Sequence, residues 1–157
     1  MNSILSKKWF KTAATAAACV IAVYVLIYAD VVLRARTAYL QGEKYMSWYE
    51  NPKLKETAVA DWYAKEKGYL DAKLAKNKTS KEDYDRQAEI LEFTRGQKLR
   101  ESSIKYAYIW YQTVVELFSP PESKWVKLAR EKMPKAKELW KQELKAKNIP
   151  FEDYMLE

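Results

Sequence analysis

A chain of 157 residues has room for one domain, and this one has no histidine, one cysteine and three glycines. The missing histidine removes the usual general base, haem ligand and commonest zinc ligand together. One cysteine excludes an intrachain disulfide. Aromatic residues at 14% are too frequent for a disordered chain, and the net charge of +7 is too evenly spread for a nucleic-acid binder.

In chain order, residues 1–11 form a short basic N-terminal segment, in which Lys7, Lys8 and Lys11 stand with no acid among them. Taking these three from +7 leaves +4 for the rest, a mixed and solvated surface. Thr12 to Ala29 then runs for eighteen residues without a charge, and Val31, Val32 and Leu33 extend the apolar character past Asp30. About 20 residues span the hydrocarbon of a bilayer, so residues 12–33 read as a transmembrane anchor helix. Val20 to Ile27 supplies most of its insertion energy. Trp9, Phe10, Tyr24 and Tyr28 suit the two interfaces. A cleaved signal peptide also starts basic and apolar, but cleavage after Ala29 needs a small residue at −3 and meets Ile27. The small side chains of Ala14, Ala17, Ala18 and Ala22 make a surface that packs closely on other membrane helices, while Cys19 reads as an apolar filler. The basic counts on the two sides of the anchor are nearly equal. The absence of acids before it places the N-terminus in the cytoplasm and the domain outside.

Residues 34–50 lack proline and carry one glycine, so the anchor helix is expected to continue to Trp48 and to stop at Asn51-Pro52. Asn51 as N-cap and Pro52 at the first position start a helix over 52–75. Leu54, Ala58, Trp62, Tyr69 and Ala72 lie on one of its faces, with Val59, Tyr63, Leu70 and Leu74 beside them. Lys76-Asn77-Lys78 is a polar turn, and Asn77-Lys78-Thr79 fits a glycosylation acceptor in a secretory context. Thr79 and Glu82 have capping-box spacing.

No proline interrupts residues 80–118, which are expected to be one helix. Its stripe from Tyr84 through Leu91, Leu99, Tyr106 and Trp110 to Leu117 advances about 3.67 residues per step, near a straight helix. A second stripe, Ile104, Tyr108, Tyr111, Val115 and Phe118, covers only the C-terminal half. Together with Trp125 it is a candidate partner-contact surface, unless later helices of the same domain bury it. Ser119 and Glu122 have capping-box spacing around Pro120-Pro121, opening a helix over 121–133. Pro134 is expected to kink or restart it, with a last helix over 135–147 before Asn148-Ile149-Pro150. The tail from Phe151 to Glu157 is a docking peptide or folds back.

The expected fold class is therefore all-α. One transmembrane helix continues into an extramembrane antiparallel bundle or hairpin of long helices spanning 51–157. Residues 52–76 and 121–147 share a texture but no 34-residue register, so a tetratricopeptide array is not adopted. Glycine-rich phosphate loops, nucleophile elbows and metalloprotease motifs are missing. Glu89 and Glu92 stand three apart, as in carboxylate metal sites, but those also use histidine. No catalytic residue, cofactor or metal is assigned, and neither nucleic acid nor a small-molecule substrate is expected. The expected role is a non-catalytic accessory subunit of a larger membrane-protein complex, of the kind bioenergetic assemblies carry. Its partners are then integral membrane subunits and the lipid bilayer. The alternative is a free-standing anchored module that recruits a soluble protein.

Overall fold

The computed structural model describes residues 2–156, with side chains from residue 9 onward, so the side chains of Lys7 and Lys8 lie outside the described residues. The described chain is all-helical. Helix α1 runs from Asn2 to Glu50, α2 from Pro52 to Ala75, α3 from Lys81 to Arg100, α4 from Ser103 to Leu117 and α5 from Lys124 to Ala146; a 3-10 turn at Asp153–Leu156 follows. At 1.5 Å per residue, α1 is a rod of about 70 Å. Residues 9–30 of it are exposed, and this segment is long and apolar enough to cross a membrane.

The exposed segment of α1 and the residues of α1 that pack into the domain belong to one continuous helix. Ala35, Ala38 and Tyr39 are buried, and α1 packs on both α4 and α5. Tyr45 stacks on Tyr106 with centroids 5.2 Å apart, while Tyr39 meets Tyr111 at 5.9 Å, so α4 runs antiparallel to α1. Tyr39 also meets Trp125 at 5.6 Å, and Glu43 meets Lys132, so α5 rises parallel to α1. This three-helix bundle holds the core of Ile104, Ala107, Tyr111, Val114, Val126, Ala129 and Ala136. Alanines on all three helices let the backbones approach, and the aromatic rings fill the space between. The tail folds back onto the bundle. Leu156 is buried, its carbonyl accepts from Tyr108 Oη at 2.9 Å, and Lys141 pairs with Asp153 at 2.8 Å.

One polar cluster locks α1, α4 and α5 together. Glu43 accepts from Tyr111 Oη and from Lys132 Nζ, each at 2.5 Å. Burial alone would raise the Glu43 pKa, but these two donors outweigh it and hold the carboxyl below its ordinary range. Burial, reinforced by Glu43, pushes the Tyr111 hydroxyl well above the ordinary tyrosine value, so it stays a proton donor. Gly42 sits against that ring. A Cβ there would stand 2.6 Å from Tyr111 Cε1, and Tyr111 is both fully buried and tethered.

Three sequence expectations give way to the geometry. The helix expected over 80–118 is broken at Glu101-Ser102, giving α3 and α4. Glu101 adopts extended backbone, and Ser102 Oγ accepts from Lys105 N as the N-cap of α4 while its hydroxyl donates to Glu143 on α5. A serine that satisfies backbone groups itself competes with helix continuation. The caps also shift by one to four residues. Ser80 rather than Thr79 caps α3, with its Oγ accepting from Asp83 N, and Ser123 rather than Ser119 caps α5. Finally, α5 passes through Pro134 as one helix instead of splitting into 121–133 and 135–147. Pro134 lies on the exposed side, where water can serve the carbonyl left without a donor, while Ala129, Ala136 and Trp140 are buried on either side of it.

Gly42→Ala is expected to destabilise the domain by about 1–3 kcal/mol, since neither backbone nor ring can yield. Urea unfolding of the detergent-solubilised chain, followed by far-ultraviolet circular dichroism, measures it; an unchanged midpoint refutes the close approach. Glu43 is depressed in the folded state, so its contribution is complete above the ordinary carboxylate range and is lost as pH falls through the folded value. Glu43→Gln is therefore expected to cost about 1–3 kcal/mol at neutral pH and to leave a flatter acid limb in stability measured from pH 7 downward.

Candidate functional site

Helices α2 and α3 pack on each other as a hairpin, and of the two only α2 makes substantial contact with α1. They form an arm rooted at the top of the bundle. Its root is held by Lys55, an almost fully buried lysine of α2 whose Nζ donates to the carbonyls of Leu99 at 3.0 Å and Glu101 at 2.5 Å. Those are the unsatisfied carbonyls at the end of α3, and a cation is the favoured partner for a helix C-terminus. Burial dominates its titration and lowers the Lys55 pKa, although Glu101 and Glu143 oppose it.

Beside this lock lies a cleft of about 190 Å³ between the arm and the bundle. Tyr45 and Trp48 come from α1, Val59 and Trp62 from α2, Tyr106 from α4. Tyr45 meets Trp48 edge-on at 5.1 Å. Lys44 Nζ lies 4.6 Å from the Trp48 ring centre, and Lys98 Nζ lies 4.8 Å from that of Trp62. The cleft is thus an aromatic slot with a lysine over each tryptophan. Burial, with Glu101 nearby, raises the Tyr45 and Tyr106 pKa values, so both hydroxyls remain neutral donors. At this volume the slot is below the usual range of about 300–1,000 Å³ for small-molecule sites and fits a side chain instead. Among the described residues no three His, Cys, Asp or Glu side chains converge as a metal site.

The six predicted partner-contact residues are gathered in one place, inside or beside the core. Ile104, Tyr108 and Tyr111 are buried under α1 and α5, and Val115, Phe118 and Trp125 are half-buried at the end of the bundle nearest the apolar segment of α1. The stripe therefore packs within its own domain. Ala14, Ala17, Ala18 and Ala22 lie fully exposed along the anchor segment of α1. Exposed apolar side chains also stand on the arm. Helix α3 buries no residue, and its Ile90 and Phe93 are exposed, as are Leu54 and Tyr69 of α2. Ile90 and Phe93, three apart and off the Tyr84–Leu91–Leu99 stripe, were the available signal. The cleft left no such signal, because it forms only where the unpredicted break at Ser102 brings α1, α2, α3 and α4 together.

Lys55→Met keeps the apolar stem but removes the donors to Leu99 and Glu101. It is expected to cost about 1–3 kcal/mol by stranding part-buried carbonyls. Amide hydrogen exchange is the sharper readout: protection at Glu101 and Lys105 drops while that at Tyr111–Val114 is retained, and an equal loss at both places overturns the hinge-lock reading.

Comparison with protein-family models, with curated proteins and with solved structures found no match to this chain.

Proposed function

We propose that the chain is a non-catalytic accessory subunit of a larger membrane-protein complex, acting in assembly, stabilisation or partner docking. One observation carries this reading. Helix α1 is at once a 0%-buried apolar segment and a wall of the domain core, without a linker between the two roles. A membrane tether for an independently moving domain needs flexible chain, whereas a rigid rod fixes the domain relative to whatever packs on the anchor. The alanine face at Ala14, Ala17, Ala18 and Ala22 supports integral membrane subunits as those neighbours. The side-chain-sized slot and the apolar arm support docking of protein rather than turnover of a small molecule. In this reading the N-terminus is cytoplasmic and the bundle and arm stand outside, with the bilayer around residues 12–33.

The exposed Ile90 and Phe93 favour one second reading, an anchored module that recruits a soluble protein through its arm. Affinity purification of the full chain in mild detergent separates the two. For the accessory subunit, integral membrane proteins co-purify in fixed ratio, and Ala14→Leu with Ala18→Leu reduces their recovery about five- to tenfold, the cost of losing close helix packing. Phe93→Glu then leaves that recovery in place. If instead only soluble proteins are recovered, and Phe93→Glu abolishes them, the subunit reading fails and the recruiting module replaces it.

A further inference from the structure

The lower end of the bundle lies where the exposed apolar segment of α1 gives way to partly covered residues. Tyr45 faces Tyr106 and Gly42 faces Tyr111. Carrying this antiparallel register down α1 sets the end of α4 at Leu117 beside Arg34–Arg36, and the Pro120-Pro121 turn beside Val31–Val32. Exposure along α1 agrees, because Ala29 and Asp30 are open while Val31 and Val32 are the first residues partly covered. Measured from Leu33, the end of the anchor, Leu117 and Arg36 thus stand about 2–5 Å above it, and the turn lies at its level. The headgroup region on each side of a bilayer is roughly 5–7 Å thick, so the corner falls inside it.

The chemistry of the corner suits that position. Leu117 is 71% exposed although it ends a helix whose other face is core. Trp125, on the following helix, is half-buried, with Arg36 Cζ 5.8 Å and Lys124 Nζ 5.6 Å from its ring centre. Tryptophan with flanking cations is the side-chain set enriched at membrane interfaces. The turn is held in shape rather than left loose: Arg130 grips both oxygens of Glu122 at 2.7 Å, Ser119 donates to the same carboxylate, and Arg130 first among these holds the Glu122 pKa down at about 2. That carboxylate is consequently neutralised within the protein, as is Asp30 by Arg34 at 2.7 Å. Arg36 and Lys124 have no such ion pair among the described residues.

We propose that the α4–α5 corner is a second membrane contact, in which Leu117 enters the interface and Arg36 and Lys124 hold lipid headgroup phosphates. This rests on the reading of α1 as a membrane-spanning helix. The bundle then has two fixed points on one leaflet, and its tilt is set by the bilayer as well as by the anchor.

The test uses the full chain in a Cys19→Ser background, in vesicles of equal phosphatidylcholine and phosphatidylglycerol. Single cysteines at Leu117→Cys, Glu50→Cys and Val25→Cys carry an environment-sensitive fluorophore. All three positions are exposed, so the labels leave the core intact. Quenching by lipids with a nitroxide on the headgroup is expected to be at least about twice as strong at 117 as at 50, while a nitroxide deep in the acyl chain quenches 25. Combining Arg36→Glu with Lys124→Glu is expected to halve, about, the quenching at 117 and to leave that at 25 unchanged. If 25 is quenched but 117 is no stronger than 50, the corner contact is refuted and the anchor stands. If 25 escapes quenching as well, the membrane-spanning reading falls and this contact falls with it. Strong quenching at 117 that ignores the two glutamates refutes the phosphate role.

Discussion

The bundle has no complete core without the helix that carries the exposed apolar segment. Helices α4 and α5 form a hairpin, and the third wall over Tyr111 and Val114 is supplied by Ala35, Ala38 and Tyr39 of α1. Two packed helices alone leave one side of each apolar stripe in water, so the α1 wall decides whether the domain is stable at all. The same helix runs uninterrupted to Asn2. The apolar segment and the domain are therefore not separate units joined by a flexible linker. Residues 31–50 form a helix that the bundle needs, and the exposed half fixes where in space that helix can be.

The polar contacts specify which way the parts close. Glu43 reaches both α4 and α5 through Tyr111 and Lys132, so it tests that all three helices are in register at one level. A slip of one turn would leave a half-buried carboxylate without its donors, a far larger penalty than the gain from forming the contact. Lys55 does the equivalent for the arm, because its donors meet the last carbonyls of α3 only when α2 and α3 cross at the observed point. The apolar surfaces bind the pieces; these buried charges choose the arrangement.

Much of this architecture was legible in the sequence, and the failures share a cause. The apolar run, the stop at Asn51-Pro52, the helix over 52–75 and the all-α class follow from composition, proline position and helical spacing, which are local properties. The Asp30–Arg34 pair is local as well, an i,i+4 contact within one helix. The break at Ser102 does not follow, because the segment Glu101-Ser102-Ser103 is tolerable inside a helix. It becomes a boundary only when Glu143 and Lys55, 41 and 46 residues away along the chain, take up its polar groups. Pro134 erred in the opposite direction: a strong local breaker is carried through by burial of Ala129, Ala136 and Trp140 around it. The stripe at Ile104, Tyr108 and Tyr111 was read correctly as apolar, yet periodicity cannot say whether the covering surface belongs to the same chain or another.

The distances that follow from an unbroken α1 are fixed by its helical rise. Asp30 to Glu50 spans about 30 Å of helix, so the aromatic slot and the arm root stand about that far from the end of the exposed apolar segment. The alanine face and the slot are joined without a flexible linker, and one end of the rod cannot move without the other. The apolar side chains at both extremes of the molecule, Ala14 to Ala22 below and Ile90 and Phe93 on the arm, are thus two ends of one constraint, joined by the helix that Gly42 lets pass close against Tyr111.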